Sequence, residues 1–223
     1  IFSANLSYVT LNPQWGVPDS IARNEVIPKL LKDPNYLVNH NMVIRTSYDL
    51  STPAVDKDSV DWEAYLAEEK DSKDMTYKFI EVPSKKNGLG RVKFIFPNEY
   101  MVYLHDTPSK GLFARTERAF SHGCIRTQNP FDFAEHLLDN QGWDRARIDQ
   151  VHESRKTTRV NLKTPVTVML LYWTADVAED GTVRFKNDVY GRDAKIIAGL
   201  AEPFRVDPPE GIREAVDGQG GSR

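Results

Sequence analysis

Residues Arg91 to Phe96 alternate polar and apolar side chains, Pro97 and Asn98 then turn the chain, and Tyr100 to Leu104 run into His105. A period of two in a segment rich in β-branched and aromatic residues is that of a strand, so this stretch predicts two strands joined by a tight turn, with His105 at the end of the second. A strand has to bury its apolar face against other elements, which commits the chain to a sheet. Ile1 to Leu11 also alternates and reads as a strand already in progress at the first residue. Thr157 to Leu162 and Val166 to Trp173 read as two more, the second apolar on both faces and therefore expected to be central. Asp180-Gly181 is expected to join it by a hairpin to Thr182 to Phe185.

Helical texture interrupts the strands. Asp19 or Ser20 is expected to cap a short helix carrying Ala22, Val26 and Leu30 on one face, kinked or split by Pro28. Asp61 to Lys70 places Trp62, Tyr65 and Leu66 at helical spacing, most simply as packing residues. Loop residues, among them Pro34, Pro53 and the acidic stretch from Asp56 to Asp61, lie between these two helices. Asn87-Gly88 reads as a tight turn. Asn129-Pro130 opens a helix with Phe133, Ala134, Leu137 and Leu138 along one side, and shorter helices are expected over Asp144 to Val151 and Ala194 to Leu200. The tail from Pro203 is expected to be extended or disordered. The fold class expected from this order is mainly β with helices, an α+β arrangement.

With 223 residues, 40% of them hydrophobic and 27% charged, the chain can bury a sizeable core and is expected to form one domain with an embellishment. No run approaches the roughly 18 apolar residues of a membrane span, and the first residues lack a signal peptide's charged start and apolar stretch. A single cysteine allows no internal disulfide, which leaves the redox compartment open.

That cysteine lies in Ser121-His122-Gly123-Cys124-Ile125-Arg126. An isolated cysteine is usually a small buried hydrophobe. Here Gly123 removes the side chain beside the sulfur and offers its N–H as an oxyanion donor, and Arg126 adds a fixed positive charge that favours thiolate over thiol. A thiolate nucleophile needs a base, and acyl transfer returns a proton to the leaving amine. His105 and His122 are the candidates. His122 is tethered two residues from Cys124, whereas His105, nineteen residues before it, can approach from a neighbouring strand. His136 and His152 sit in charged, helical surroundings and read as structural or surface residues.

The pattern of His105, fifteen residues and Ser-His-Gly-Cys-Ile-Arg resembles the L,D-transpeptidases of the YkuD type, which cross-link bacterial peptidoglycan. The likeness extends to Asn12 to Ile21, Val92 to Asn98, Tyr103 to Pro108 and Asp188 to Asp193, which are similar to the YcbB-like branch with a large lid insertion. The resemblance implies a YkuD-type β-sandwich over residues 1–16 and 88–195, a helical and loop-rich lid over 17–87, and a tail over 196–223. It also implies that the domain begins further upstream, so the chain is expected to be a fragment. By the same resemblance Cys124 is the nucleophile and His105 its base, oriented by the backbone carbonyl of Asp106. Gly123, Cys124 and His122 would form the oxyanion site, and Ser121, Tyr103 and Arg126 would shape the substrate pocket.

The implied reaction is attack on the meso-diaminopimelate carbonyl of a donor stem tetrapeptide, release of D-alanine, and transfer to the side-chain amine of an acceptor stem. No cofactor and no metal are called for. The expected partners are peptidoglycan stem peptides and carbapenem inhibitors, with no nucleic acid, and the expected location is the periplasm or cell envelope. Between residues 105 and 126, Lys110, Arg115, Arg118 and Arg126 outnumber Asp106 and Glu117, either as a rim for stem carboxylates or, for the first three, as a solvated loop face. Val82 to Gly90 departs from the run rich in Arg, Gln, Pro and Gly expected where the lid rejoins the core. Two other readings remain open. With water as acceptor the same thiol gives an L,D-carboxypeptidase or a hydrolase releasing wall-attached protein. Alternatively, His105, His122 and Cys124 bind zinc, for hydrolysis or in a noncatalytic wall-binding module.

Overall fold

The computed structural model describes residues 1–70, 72, 74–121 and 123–203. The chain divides into two compact units, residues 1–170 and 171–223.

The first unit is built on a five-stranded sheet in which β7 (Ile125–Arg126), β6 (Leu104–His105), β5 (Val92–Ile95), β1 (Phe2–Leu11) and β8 (Thr158–Leu170) lie side by side in that order. Every neighbouring pair is antiparallel except β6 and β7. Leu6, Val9 and Leu11 of β1 and Val92 and Phe94 of β5 turn one face of the sheet inward, and Phe96 follows them just past β5. The helix α5 (Pro130–Leu138) covers that face with Phe131, Ala134 and Leu138, and α6 (Arg145–Glu153) adds Ile148. Asp144 caps α6 by accepting from the Arg147 N–H at 2.8 Å. The Phe94 ring, fully buried, meets Phe133 of α5 at 4.7 Å between centroids. Truncating such a ring costs about 3–5 kcal/mol, so α5 holds β5 firmly from behind.

Residues 15–81 fold into a smaller layer with its own core. A three-stranded antiparallel sheet pairs β2 (Trp15–Gly16) and β3 (Met42–Arg45) with the central β4 (Lys78–Glu81). Helical segments α1 (Asp19–Ile21), α2 (Ile27–Lys32), α3 (Tyr36–Asn39) and α4 (Trp62–Glu68) accompany it. Between α1 and α2 the chain makes a π turn over Ala22–Val26. Pro28 has no N–H to give and its ring would press on the carbonyl four residues back, which the wider turn accommodates without ending the helical path. Pro18 precedes the first helix, and Asp19 instead accepts from Met75 N–H and Lys78 Nζ, both at 2.8 Å. Asp61 caps α4. Trp62 and Tyr65 pack with Tyr77 and Phe79, the packing role their spacing suggests.

Several sequence expectations are corrected. The second strand is not Tyr100 to Leu104: only Leu104–His105 is strand. Met101 takes a left-handed φ of 53° and Asn98 fastens the turn instead, its Nδ2 donating to Phe96 and Val102 carbonyls at 2.6 and 2.8 Å. The two strands read over 157–173 are one, β8, and it lies at the sheet edge rather than the centre. Pro165 lies where the register with β1 shifts between Leu6 and Tyr8, and a proline without an N–H is tolerated at an edge. The tight turn read at Asn87-Gly88 is present and runs from Asn87 to Gly90, whose N–H donates to the Asn87 carbonyl at 2.8 Å.

In the second unit Gly181, with φ of 83°, turns the hairpin of β9 (Ala175–Val177) and β10 (Val183–Phe185), so the partner of the 182–185 segment is β9 and not the 166–173 stretch. The helix α7 (Asp193–Leu200) follows, and Thr174 Oγ1 donates to Asp193 at 2.6 Å. The tail expected beyond Pro203 lies outside the described residues. Among the described residues no helix is long and apolar enough to cross a membrane.

Candidate active site

Strand register assembles the site. Lys93 of β5 lies opposite His105 of β6, and His105 lies beside Arg126 of β7. Alternation along a strand then sets Lys93, Tyr103, His105, Cys124 and Arg126 on one face of the sheet and Val92, Phe94 and Leu104 on the core face. Cys124 enters β7 directly: Ile125 N–H donates to the Tyr103 carbonyl at 3.1 Å, and Thr127 N–H donates to the His105 carbonyl at 2.7 Å. The parallel pairing of β6 and β7 thus sets Cys124 alongside Tyr103 and Arg126 alongside His105 on one face.

His105 is 5% exposed, and its Nδ1 bonds to the backbone carbonyl of Asp106. A carbonyl only accepts, so Nδ1 carries the proton and Nε2 of the neutral ring keeps a lone pair. Burial, with the positive charges of Arg126 and Lys93, lowers the imidazole pKa below its ordinary value against the opposing effect of the Asp106 carbonyl. The neutral, base-competent form is therefore favoured.

Asp106 is itself only 2% exposed and is gripped on both carboxylate oxygens. Arg91 N–H donates to Oδ2 at 2.9 Å, with the guanidinium 3.5 Å from the same oxygen, and Lys110 pairs with Oδ1. Lys110 also donates to the carbonyls of Thr127 and Gln128 at 3.3 and 2.7 Å, tying the segment after β7 to the segment after β6. Gly90 makes this grip possible. Its φ is 63°, and a Cβ there would sit 2.5 Å from the Cβ, Cγ and Oδ2 of Asp106.

On the cysteine side, Ser121 Oγ donates to the Cys124 carbonyl at 2.7 Å, closing a turn whose middle includes Gly123 at φ 139°. A Cβ at Gly123 would meet nothing within 4 Å, so glycine there answers the backbone conformation and leaves the approach to the sulfur open. His122 lies outside the described residues. Tyr103 adjoins the cysteine strand through its backbone, its carbonyl accepting from the Ile125 N–H, and the Lys93 Nζ lies 4.0 Å from its ring centroid. Burial first, then the neighbouring Cys124, push the phenol well above its ordinary value, so it stays protonated. Arg126 is half-buried, and its Nε, fully buried, has no hydrogen-bond partner among the described residues.

Of the residues the sequence singles out, Cys124, His105, Tyr103 and Arg126 thus share one face, while Asp106, Gly123 and Ser121 support it through backbone. Lys110 and Arg118 are engaged locally, Arg118 with the Arg115 and Phe113 carbonyls. That favours the loop reading over a free basic rim. His152 bonds Asn12 Oδ1 at 2.9 Å behind the sheet, in keeping with a structural role. One residue was missed, Lys93, whose Nζ lies 4.0 Å from the Tyr103 ring centroid. Lys93 is visible in sequence only as the polar member of an alternating strand, and nothing local marks its face as the one that carries the cysteine. Among the described residues no three His, Cys, Asp or Glu side chains group as a metal site.

Over residues 1–168 the sequence matches the YkuD family, described as the L,D-transpeptidase catalytic domain. A protein of Haemophilus influenzae named "Putative L,D-transpeptidase" is 36% identical over 202 residues, 91% of this chain and 39% of that protein. The chain thus spans about two fifths of that relative's length.

Proposed function

The chain belongs to the YkuD family of L,D-transpeptidase catalytic domains, and from that membership we propose that it is a peptidoglycan L,D-transpeptidase acting through Cys124 and His105. The observation that carries the reading is the shared sheet face: a lone cysteine beside Tyr103, and a buried neutral histidine one pair further along the same two parallel strands.

In the proposed reaction the Cys124 sulfur, its proton taken by His105 Nε2, attacks the carbonyl carbon of the meso-diaminopimelate residue of a donor stem tetrapeptide. The carbonyl π electrons move onto oxygen, and the N–H groups of Gly123 and Cys124 receive that charge, with His122 on the same loop. The tetrahedral intermediate collapses, the C–N bond to D-alanine breaks, and the leaving amine takes its proton from the imidazolium. The resulting thioester is attacked by the side-chain amine of an acceptor stem, which loses a proton to His105 as the C–S bond breaks. The Asp106 carbonyl keeps the ring in the required tautomer throughout. Tyr103 and Arg126 shape the pocket, and Ser121 sets the loop.

Residues 17–87 act in this reading as a lid over the substrate groove, its small sheet joined at one edge by Trp15–Gly16. The family is one of cell-envelope enzymes; the proposed location is the periplasm, and carbapenems, which acylate thiols of this kind, are the proposed inhibitors. The test is mass-spectrometric muropeptide analysis after incubation with purified disaccharide tetrapeptides. Cross-linked dimers with D-alanine release are expected. Tripeptides without dimers would instead assign an L,D-carboxypeptidase.

A further inference from the structure

We propose that Lys110 is a positioning residue of this site: its ammonium, seated on Asp106 and on the carbonyls that follow β7, holds β7 in register on β6 and so keeps Cys124 on the face that His105 occupies. The inference rests on the assignment of Cys124 and His105 as nucleophile and base, and it gives Lys110 a task that neither a carboxylate rim nor a solvated loop face would.

The need for such a residue follows from the length of the strands. β6 and β7 are two residues each, and they pair only Leu104 with Ile125 and His105 with Arg126. A parallel ladder is the weaker kind per residue, and one this short has few hydrogen bonds of its own to fix its register. β7 also lies at the edge of the sheet, with β6 as its one neighbour among the described residues. Its backbone is held by the Ile125 N–H on the Tyr103 carbonyl at 3.1 Å, and by Thr127, whose N–H and Oγ1 donate to the His105 carbonyl at 2.7 and 3.0 Å. Side chains alternate along a strand, so a slip of one residue would turn Cys124 away from the face of His105.

Lys110 supplies a second attachment just past this ladder. Its Nζ pairs with Oδ1 of Asp106, the residue after His105, and donates to the carbonyls of Thr127 and Gln128, the first two residues after β7, at 3.3 and 2.7 Å. An ammonium has three donors, and here each finds an oxygen of the protein. The anchor itself is fixed, because Asp106 is 2% exposed and its other carboxylate oxygen takes the N–H of Arg91, the residue before β5, at 2.9 Å. One buried carboxylate thus gathers the entry of β5, the exit of β6 and, through Lys110, the exit of β7. Asp106 also gives its backbone carbonyl to His105 Nδ1, so the residue that steadies the cysteine strand steadies the histidine ring as well. Lys110 keeps 40% of its side chain in solvent and Asp106 retains Arg91, so removing the ammonium is expected to loosen the end of β7 more than the whole fold.

The experiment reads the strand first and turnover second. Amide hydrogen exchange is followed residue by residue by NMR on the full chain, for the parent, Lys110→Met, Lys110→Gln and Lys110→Arg. In the two neutral variants the amides of Ile125 and Thr127 are expected to exchange about tenfold faster while those of β1 and β5 stay within about twofold, and Lys110→Arg, which keeps the charge and the donors, is expected to recover most of the protection. With disaccharide tetrapeptides as substrate the neutral variants are expected to lose about tenfold in kcat with KM within about twofold, since the reacting groups are displaced and the pocket is not. Melting curves check that each variant is folded at the assay temperature, and the two neutral replacements guard against one that does not fold. Unchanged exchange at Ile125 and Thr127, an increase that spreads equally over β1 and β5, or a kinetic loss confined to KM would overturn the proposal. Those outcomes would leave the function intact, whereas a parent with a protected β7 that forms no muropeptide product would defeat the function without touching the exchange result at Lys110.

Discussion

His105 carries the pH dependence of the account. Its pKa is lowered by burial and by Arg126 and Lys93, so the neutral base persists to lower pH than an ordinary histidine allows. The acid limb of kcat/KM is therefore expected below the roughly 6.5 of an unperturbed imidazole, and His105→Gln is expected to lower kcat by about 10²–10⁴-fold with the fold intact. Rate profiles of both proteins check this. A limb at or above that value would mean that the ring is not shielded as described. At this scale local pattern shows the motif around Cys124 and a strand that ends on His105, although that strand is Leu104–His105 alone. Lys93 is not legible, because it meets the Tyr103 ring through the neighbouring strand, and the register that brings them together is a tertiary property.

At the scale of elements, the turns on either side of β5 decide how well the site is held. Gly90 is the tightest point, because it needs both a left-handed backbone and the absence of a Cβ beside Asp106. Gly90→Ala is expected to cost at least about 1–2 kcal/mol from the backbone alone, and to reduce activity further by displacing Asp106 and with it the carbonyl that orients His105. Gly111→Ala, where a Cβ meets nothing within 4 Å, is the control; thermal melts and initial rates on both variants read the difference. The small sheet offers a second prediction. Glu81 of β4 is buried and accepts the Gly88 N–H at 3.2 Å, and burial raises its pKa from 4.5 to about 7. Its folded value lies above its unfolded one, so the stability it confers is complete below about 4.5 and is lost as pH rises through about 7. The full difference is of the order of a few kcal/mol. Glu81→Gln is expected to flatten the decline in melting temperature between pH 5 and pH 8, and an unchanged slope would contradict the assignment. Helices α4, α5 and α6 were legible from caps and spacing. The shortness of β6 and the fusion of two segments into β8 were not, because Asn98 bonds its own turn and because an edge position relaxes the rules that Pro165 otherwise breaks.

For the molecule as a whole, the sequence suggests a sheet but does not give its order. The apolar character of 166–173 points to a central strand, yet β8 pairs with β1 alone. The first unit closes at Leu170, two residues beyond the end of the family match at 168. A chain ending at Leu170 is accordingly expected to melt cooperatively and to alkylate at Cys124 within about twofold of the full chain; loss of the cooperative melt would contradict the autonomy of that unit. The central claim is that one thiol in this unit accepts an acyl group. Intact-mass spectrometry of the full chain after carbapenem treatment tests it most directly, comparing the parent with Cys124→Ala. The account predicts one covalent adduct on the parent and none on the variant; an adduct on both, or on neither, would contradict it.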